Sequence, residues 1–169
     1  MSKAKVRLDY KEFEKLRDRI NQFGDPKEMD KFLKSCAKGL AARLLTKVIK
    51  RTPVGQYPSE SGKVGGTLRR GWTSGQDASA GSAYANHLPV TKVGSDYVIE
   101  IINPVEYASY VEYGHRQTPG RFVPAIGKRL KQGWVEGKFM LTISEREIRE
   151  SAPAILEKRL EKYLGRCFK

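Results

Sequence analysis

Apolar residues recur at intervals of three and four along the N-terminal third, which is the pattern of amphipathic helices. Residues 10–23 form a first predicted helix, and Gly24 ends it. Asp25 and Pro26 predict the N-cap and first position of a second helix, which should run to about Arg51. One face of the second helix is apolar and the other is dense in lysine and arginine. Because of its length, we expect it to be the spine of the fold.

Short strands are predicted in the middle of the chain. Residues 67–73 form a first candidate, and residues 84–93 a weaker one that Pro89 places at a sheet edge. A tight turn at Gly94 leads into residues 97–102, the best strand candidate, which is rich in β-branched side chains. These segments predict two or three antiparallel strands.

The segment from Asn103 to Gly114 has the start and stop signals of a short helix. Asn103 is a candidate N-cap, Pro104 suits the first position and Glu106 completes a capping box. Gly114 would end the helix in the left-handed conformation. We expect the face that contains Tyr107, Tyr110, Val111 and Gly114 to be buried.

The C-terminal third is expected to be mostly helical. Residues 125–135 form a basic, partly helical piece. Ser144 and Glu147 predict a second capping box, which opens a helix over residues 145–164. Pro153 predicts a kink there, or a division into two shorter helices.

Together these elements predict an α+β fold in which the long N-terminal helix packs on a small antiparallel sheet, with a C-terminal helix. A chain of 169 residues suits one domain. We expect that single domain, residues 1–169, to comprise a helical part (1–51), a flexible loop (54–66), strands (67–102) and a mostly helical remainder (103–169).

Charge is the strongest feature of the composition. The chain has 32 Lys and Arg against 19 Asp and Glu, a net charge of +13. Residues 1–51 alone have 15 basic and 7 acidic residues, a net of +8. Such an excess indicates an anionic partner, such as nucleic acid, an acidic membrane or an acidic protein surface. It is also compatible with a solvated basic surface.

Other compositional signals indicate a cytoplasmic origin. No run of about 18 apolar residues occurs, so we expect no membrane-spanning helix. The basic N-terminus is followed by no apolar stretch, so we expect no secretion signal. Cys36 and Cys167 lie far apart in sequence and predict two free thiols in a reducing compartment.

Motifs for catalysis or for metal and cofactor binding are missing from the sequence. His87 and His115 have no Cys, Asp or Glu at metal-ligand spacing. Glu106 and Glu112, six residues apart on a helix, would point about 120° away from each other. A phosphate-binding loop requires Ser or Thr directly after its lysine, but in the glycine-rich loop Lys63 is followed by Val64. We therefore expect no catalytic residue, no cofactor and no metal.

Three short segments carry a family resemblance. They are TPV at 52–54 followed by GTLRRGW at 66–72, YASYVEYGH at 107–115, and PGRFVPA at 119–125. In this order and spacing they resemble a family of small tail-component proteins of long-tailed bacteriophages. Residues 55–65 are a departure, because the family usually joins the first two pieces directly.

The resemblance implies a structural, non-enzymatic virion protein of the neck or upper tail, assembled in the bacterial cytoplasm without a membrane. Such proteins form homo-oligomeric rings around the channel through which DNA leaves the head. Other neck and tail proteins are the further partners of these rings. A tail-completion or head–tail connector role and a tail-terminator role both stay open. The alternative is a sequence-independent nucleic-acid-binding protein. A nuclease is disfavoured, because the sequence shows no carboxylate cluster.

Loops and basic residues supply the candidate contact sites under this interpretation. Loops 54–66 and 118–123 could also be plain surface. The candidate subunit contacts are Val54, Gly55, Tyr57, Gly66, Leu68, Trp72, Tyr107, Glu112, Arg121 and Phe122. The candidates for contact with passing DNA are Arg69, Arg70, Lys128 and Arg129.

Overall fold

A computed structural model describes residues 11, 14, 25–75, 80–124 and 127–167. The first predicted helix lies outside these residues, except for Lys11 and Glu14, which are helical. The side chain of Cys167 also lies outside them. Cys36 is a buried free thiol.

Helix α1 spans Pro26–Arg51, as predicted. The Asp25 carboxylate caps it by accepting a 3.0 Å hydrogen bond from the backbone amide of Lys27. Its apolar face forms the centre of the core, where Cys36, Leu40, Leu44, Leu45 and Val48 are fully buried. At 1.5 Å per residue the helix is about 39 Å long. Two later helices and a strand pack along it.

The segment 67–73 is not a strand, as the sequence had suggested, but the short helix α2, Thr67–Gly71. Leu68 and Trp72 are both buried, at 5% and 2% exposure. Their spacing of four places them on one face of a helix, and it would place them on one face of a strand as well. The pattern alone was therefore ambiguous.

The weaker strand prediction, 84–93, is wrong for its first part. Gly81–His87 form helix α3, which packs against α1. A Cβ at Gly81 would lie 2.9 Å from Ile49 Cδ1, and Ala85 is fully buried. Small side chains allow the close approach of the two helices, and this contact outweighs the local strand preference.

Two short strands follow, β1 at Thr91–Val93 and β2 at Asp96–Val98. They pair antiparallel in the register Thr91↔Val98 and Val93↔Asp96. The predicted turn is confirmed, with Gly94 at φ 62°. The expected strand 97–102 is shorter than predicted, although Ile99 and Ile101 beyond it are buried.

Helix α4 spans only Ala108–Tyr113, and the predicted cap at Asn103 is wrong. The Asn103 side chain instead donates to the carbonyl of Leu68 and accepts from the amide of Val105. The expected buried face is wrong for its two tyrosines, whereas Val111 is half-buried and packs against the core. Tyr107 and Tyr110 are 43% and 58% exposed, whereas Ala108 and Glu112 are buried.

The described residues of the segment 114–136, which are 114–124 and 127–136, form a two-stranded extension that we call the β-arm. At its base β3, Gly114–Arg116, pairs with β6, Trp134–Glu136. At its tip β4, Phe122–Val123, pairs with β5, Lys128–Arg129. The helical prediction for 125–135 is therefore wrong, apart from residues 125–126, which lie outside the described residues. Gly127 at φ 62° and Gly133 favour turns over a helix.

Helix α5, Met140–Cys167, completes the fold and packs along α1. The second capping box is wrong, because Ser144 lies inside the helix and donates to the Met140 carbonyl at 2.6 Å. Pro153 is also inside the helix and does not divide it. An interior proline costs about 3 kcal/mol. Burial of Ile148, Ala152 and Leu156 against the core offsets that cost.

The architecture is α+β, as predicted, although the strands form three separate two-stranded antiparallel sheets within the described residues. Among these residues, no helix is long and apolar enough to cross a membrane.

Candidate subunit interface

Six of the candidate contact residues line one cleft of about 190 Å³. The first wall of the cleft is the start and end of the loop 54–66, and the second is α4 with the residue before it. The six candidates in the lining are Val54, Gly55, Tyr57, Gly66, Leu68 and Tyr107, and Val111 lies beside them. The structure thus brings together residues that are up to 53 positions apart in sequence.

Glycines close the neck of the loop. A Cβ at Gly65 would collide with the carbonyl oxygen of Gly55, so the two ends of the loop can approach this closely only with glycine at position 65. Gly66 follows at φ 96°, a conformation that other residues rarely adopt. At the far end Ser59–Ser61 form one 3₁₀ turn. The loop therefore has a closed neck and a cleft beneath it.

Two tyrosines define the polarity of the cleft. Burial raises the pKa of Tyr107, the nearby Tyr57 raises it further, and Arg70 acts in the opposite direction. The ammonium of Lys63 lies 6.0 Å from the centroid of the Tyr57 ring. The Tyr107 phenol thus remains neutral at physiological pH, and the cleft is an apolar site with weakly polar edges.

The tip of the β-arm holds four more candidates. Phe122 pairs with Arg129 across the strands, and Lys128 pairs with Val123. The Arg129 guanidinium donates to the carbonyl of Gly120 at 2.8 Å. Arg121, Phe122, Lys128 and Arg129 are all exposed. Residues that the sequence assigned separately to subunit contact and to DNA contact therefore belong to one small surface.

The remaining four candidates all make hydrogen bonds within the subunit, with Trp72 and Glu112 buried and the two arginines half-buried. Trp72 is 2% exposed, and its indole N–H donates to Thr52 Oγ1 at 2.8 Å. Arg69 donates twice to the Thr52 carbonyl, at 3.1 and 2.7 Å. Arg70 reaches the carbonyl of Gly65 at 3.4 Å. These side chains hold α2 and the loop against the end of α1.

Glu112 is the fourth interior candidate, and it caps α5 from another helix. Its carboxylate accepts hydrogen bonds from the backbone amides of Leu141 and Thr142, both at 2.9 Å, and from the Thr142 hydroxyl at 2.7 Å. A carboxylate at a helix N-terminus satisfies free amides and complements the helix dipole. At 5% exposure, Glu112 is not available to another subunit.

Sequence reasoning missed two groups of residues. Thr52 is fully buried and anchors Arg69 and Trp72, but its position before a proline indicated only a helix end. Trp134 and Phe139 are 49% and 43% exposed, and Trp134 lies against Gly114 at the base of the β-arm.

Metal chemistry gains no support from the geometry. Within the described part of the chain, no three His, Cys, Asp or Glu side chains are grouped so that they could hold a metal ion. His115 lies instead beside Tyr110, with 5.7 Å between ring centroids.

Comparison with known proteins gives one match. No curated protein and no solved structure matches the chain. A family model described as "Bacteriophage HK97-gp10, putative tail-component" matches residues 14–114. That region includes α1, the loop, the cleft and α4 with Glu112, which is more than half of the chain. The chain therefore belongs to the HK97 gp10-like family of bacteriophage tail components.

Proposed function

We propose that this protein is a ring-forming structural subunit of the phage neck or upper tail. One observation carries the proposal beyond the family: a single subunit has both a concave apolar cleft and a projecting β-arm. A ring with head-to-tail contacts needs two different surfaces on each subunit. Its partners are then further copies of itself and adjoining neck and tail proteins, in the virion. The proposal assigns it no catalytic role.

Within this function, a tail-completion or head–tail connector subunit is our first assignment, and a tail terminator is the second. Electron microscopy of a lysate that lacks this gene alone separates them. Filled heads beside detached tails of normal length are expected for a completion or connector subunit. Tails of uncontrolled length would assign the terminator role. Intact infectious particles would overturn both.

The alternative is a sequence-independent nucleic-acid-binding protein. The net charge of +13 and the exposed Arg121, Lys128 and Arg129 at the arm tip favour it. Basic residues bind phosphates without reading sequence. Arg69 and Arg70 are half-buried, and each donates to a backbone carbonyl of its own subunit.

A further inference from the structure

We infer that Phe122, at the tip of one subunit's β-arm, inserts into the cleft beneath the 54–66 loop of a second copy. This inference rests on the ring proposed above and names the contact that links its subunits.

The cleft suits one aromatic ring. Its walls include the side chains of Val54, Leu68 and Val111, with Tyr57 and Tyr107 at the edges. Its volume of about 190 Å³ exceeds the roughly 150 Å³ of an apolar protein cavity that binds benzene. A phenyl group therefore fits, and its burial replaces water on apolar surface.

The β-arm has no core of its own. None of its described residues, 114–124 and 127–136, is buried. A two-stranded hairpin alone is marginally stable in water, so the tip gains most from docking on another surface. Phe122 is the large apolar side chain in the tip pairing, and half of its surface is exposed. An exposed aromatic of this kind is a typical interface anchor.

Charge also favours this pairing. Phe122 is surrounded by Arg121, Lys128 and Arg129, all exposed. Two exposed acidic residues lie near cleft residues in the sequence: Glu60 follows Tyr57 by three positions, and Glu106 directly precedes Tyr107. Neither forms an ion pair among the described residues.

Two basic residues near the cleft are already engaged. Lys63 lies over the Tyr57 ring, and Arg70 reaches the Gly65 carbonyl. Both keep their positive charge in these contacts, so the two glutamates supply the local acidic positions that the basic tip of a second copy can meet.

The arm and the cleft are different surfaces, so the contact is heterologous. Each subunit gives an arm to one neighbour and receives an arm from the other. Such contacts repeat around a closed ring rather than ending at a dimer.

The test is a double-cysteine variant, Val54→Cys with Arg129→Cys, in a chain that also has Cys167→Ser. Arg129 pairs with Phe122 across the strands, so the new thiol lies beside the anchor and Phe122 itself is kept. It replaces the natural gene, and the purified virions are oxidised and run on a non-reducing gel. A ladder of dimers, trimers and larger species is expected, because each chain is joined to two neighbours. The matched control replaces Val93 on β1 instead of Val54, since both valines are exposed to a similar extent, at 51% and 44%. The control should stay monomeric.

The outcomes separate the inference from the proposed function. Virions that contain the chain but give only monomers, or only dimers, would overturn the arm-in-cleft contact and leave the ring subunit standing. Virions that lack even the wild-type chain would overturn both. If the variant folds but is not incorporated, oxidation of the concentrated purified variant decides: a ladder supports the contact, and monomers contradict it. An internally joined monomer would show that the arm reaches its own cleft.

Discussion

Thr52 is the residue at which the end of α1, the start of the loop and α2 converge. Its hydroxyl donates to the Val48 carbonyl at 2.6 Å and accepts from the Trp72 indole. Its carbonyl accepts from Arg69. The family-like segments at 52–54 and 66–72 therefore have a structural reason for their residue types. Their polar groups satisfy one another inside the subunit.

Replacing Thr52 with valine should destabilise the protein by about 1–3 kcal/mol, because the buried Trp72 N–H loses its acceptor. Urea unfolding measures the change. Thr46→Val is the matched control, since Thr46 makes the same bond to a carbonyl four residues earlier but is exposed. The control should lie within about 0.5 kcal/mol of wild type. Equal effects in the two variants would contradict the Thr52 network.

Glu112→Gln should lower the free energy of unfolding by about 2–3 kcal/mol. One carboxylate oxygen that accepts a hydrogen bond from a backbone amide becomes an amide nitrogen, which can only donate. Thermal or urea unfolding measures it, and loss of hydrogen-exchange protection at Leu141 and Thr142 localises it. Glu106→Gln is the control, since Glu106 is exposed. A variant as stable as wild type would exclude the capping role of Glu112.

At the scale of the element, α1 and α5 are joined by a charged cluster as well as by their apolar faces. Lys47 and Arg51 contact Glu147 at 2.6 and 2.7 Å, and Arg51 also donates to Ser144. The hydrogen bond from Lys47 is the main reason that the pKa of Glu147 lies below its ordinary value of 4.5, and Arg51 adds to the effect.

The pH dependence of stability follows from that pKa. A carboxylate whose pKa is lowered in the folded state stabilises above its unfolded pKa and loses this contribution as the pH falls through the folded value. The melting temperatures of wild type and Glu147→Gln should therefore differ at pH 7 and converge below pH 4.5. Glu145→Gln is the control, because Glu145 pairs only within α5, with Arg149. A constant difference at all pH values would contradict the assignment.

The β-arm should be dispensable for folding but needed for assembly. Residues 117–133 can be replaced by Asn-Gly, which joins β3 to β6 through a two-residue turn. Because none of the described residues removed is buried, stability should change by less than about 1 kcal/mol. Phage that carry the shortened gene should form no plaques. Normal plaques from the shortened gene would show that the arm has no role in the particle.

At the scale of the whole molecule, the charge of +13 separates the proposed function from its alternative. A ring subunit should bind duplex DNA weakly as an isolated chain, in the non-specific range of about 10⁻⁴–10⁻⁶ M at physiological salt. Nanomolar binding under those conditions would favour the nucleic-acid-binding protein. Fluorescence anisotropy across a salt series measures both the affinity and the slope.

The location of the DNA contact is tested in the same experiment. Changing both Lys128 and Arg129 to Gln should lower the log–log salt slope by about 2, since each phosphate contact contributes about 0.9. Lys31→Gln with Lys34→Gln removes the same charge from side chains that are paired with Glu28 and Asp30. An equal decrease of the salt slope in both double variants would mean that net charge, and not the arm, determines DNA binding.

The sequence by itself determined α1, its cap at Asp25, the turn at Gly94, the α+β class and the family. Each depends on local signals: helical periodicity, a cap residue, a positive φ, or a short ordered motif. The segments of the motif can be identified without coordinates because they occur in a fixed order. These signals do not require knowledge of which segments meet in space.

Only the tertiary structure decided the helical state of 67–71, the start of α5 at Met140 and which candidate residues are buried or lie together. Leu68 and Trp72 suit either a helix or a strand, and the contacts of Arg69 and Trp72 with Thr52 select the helix. The cap of α5 comes from Glu112, 28 residues before its first residue. Burial of Trp72 and Glu112, the cleft and the exposed β-arm all depend on distant contacts, which no local pattern specifies.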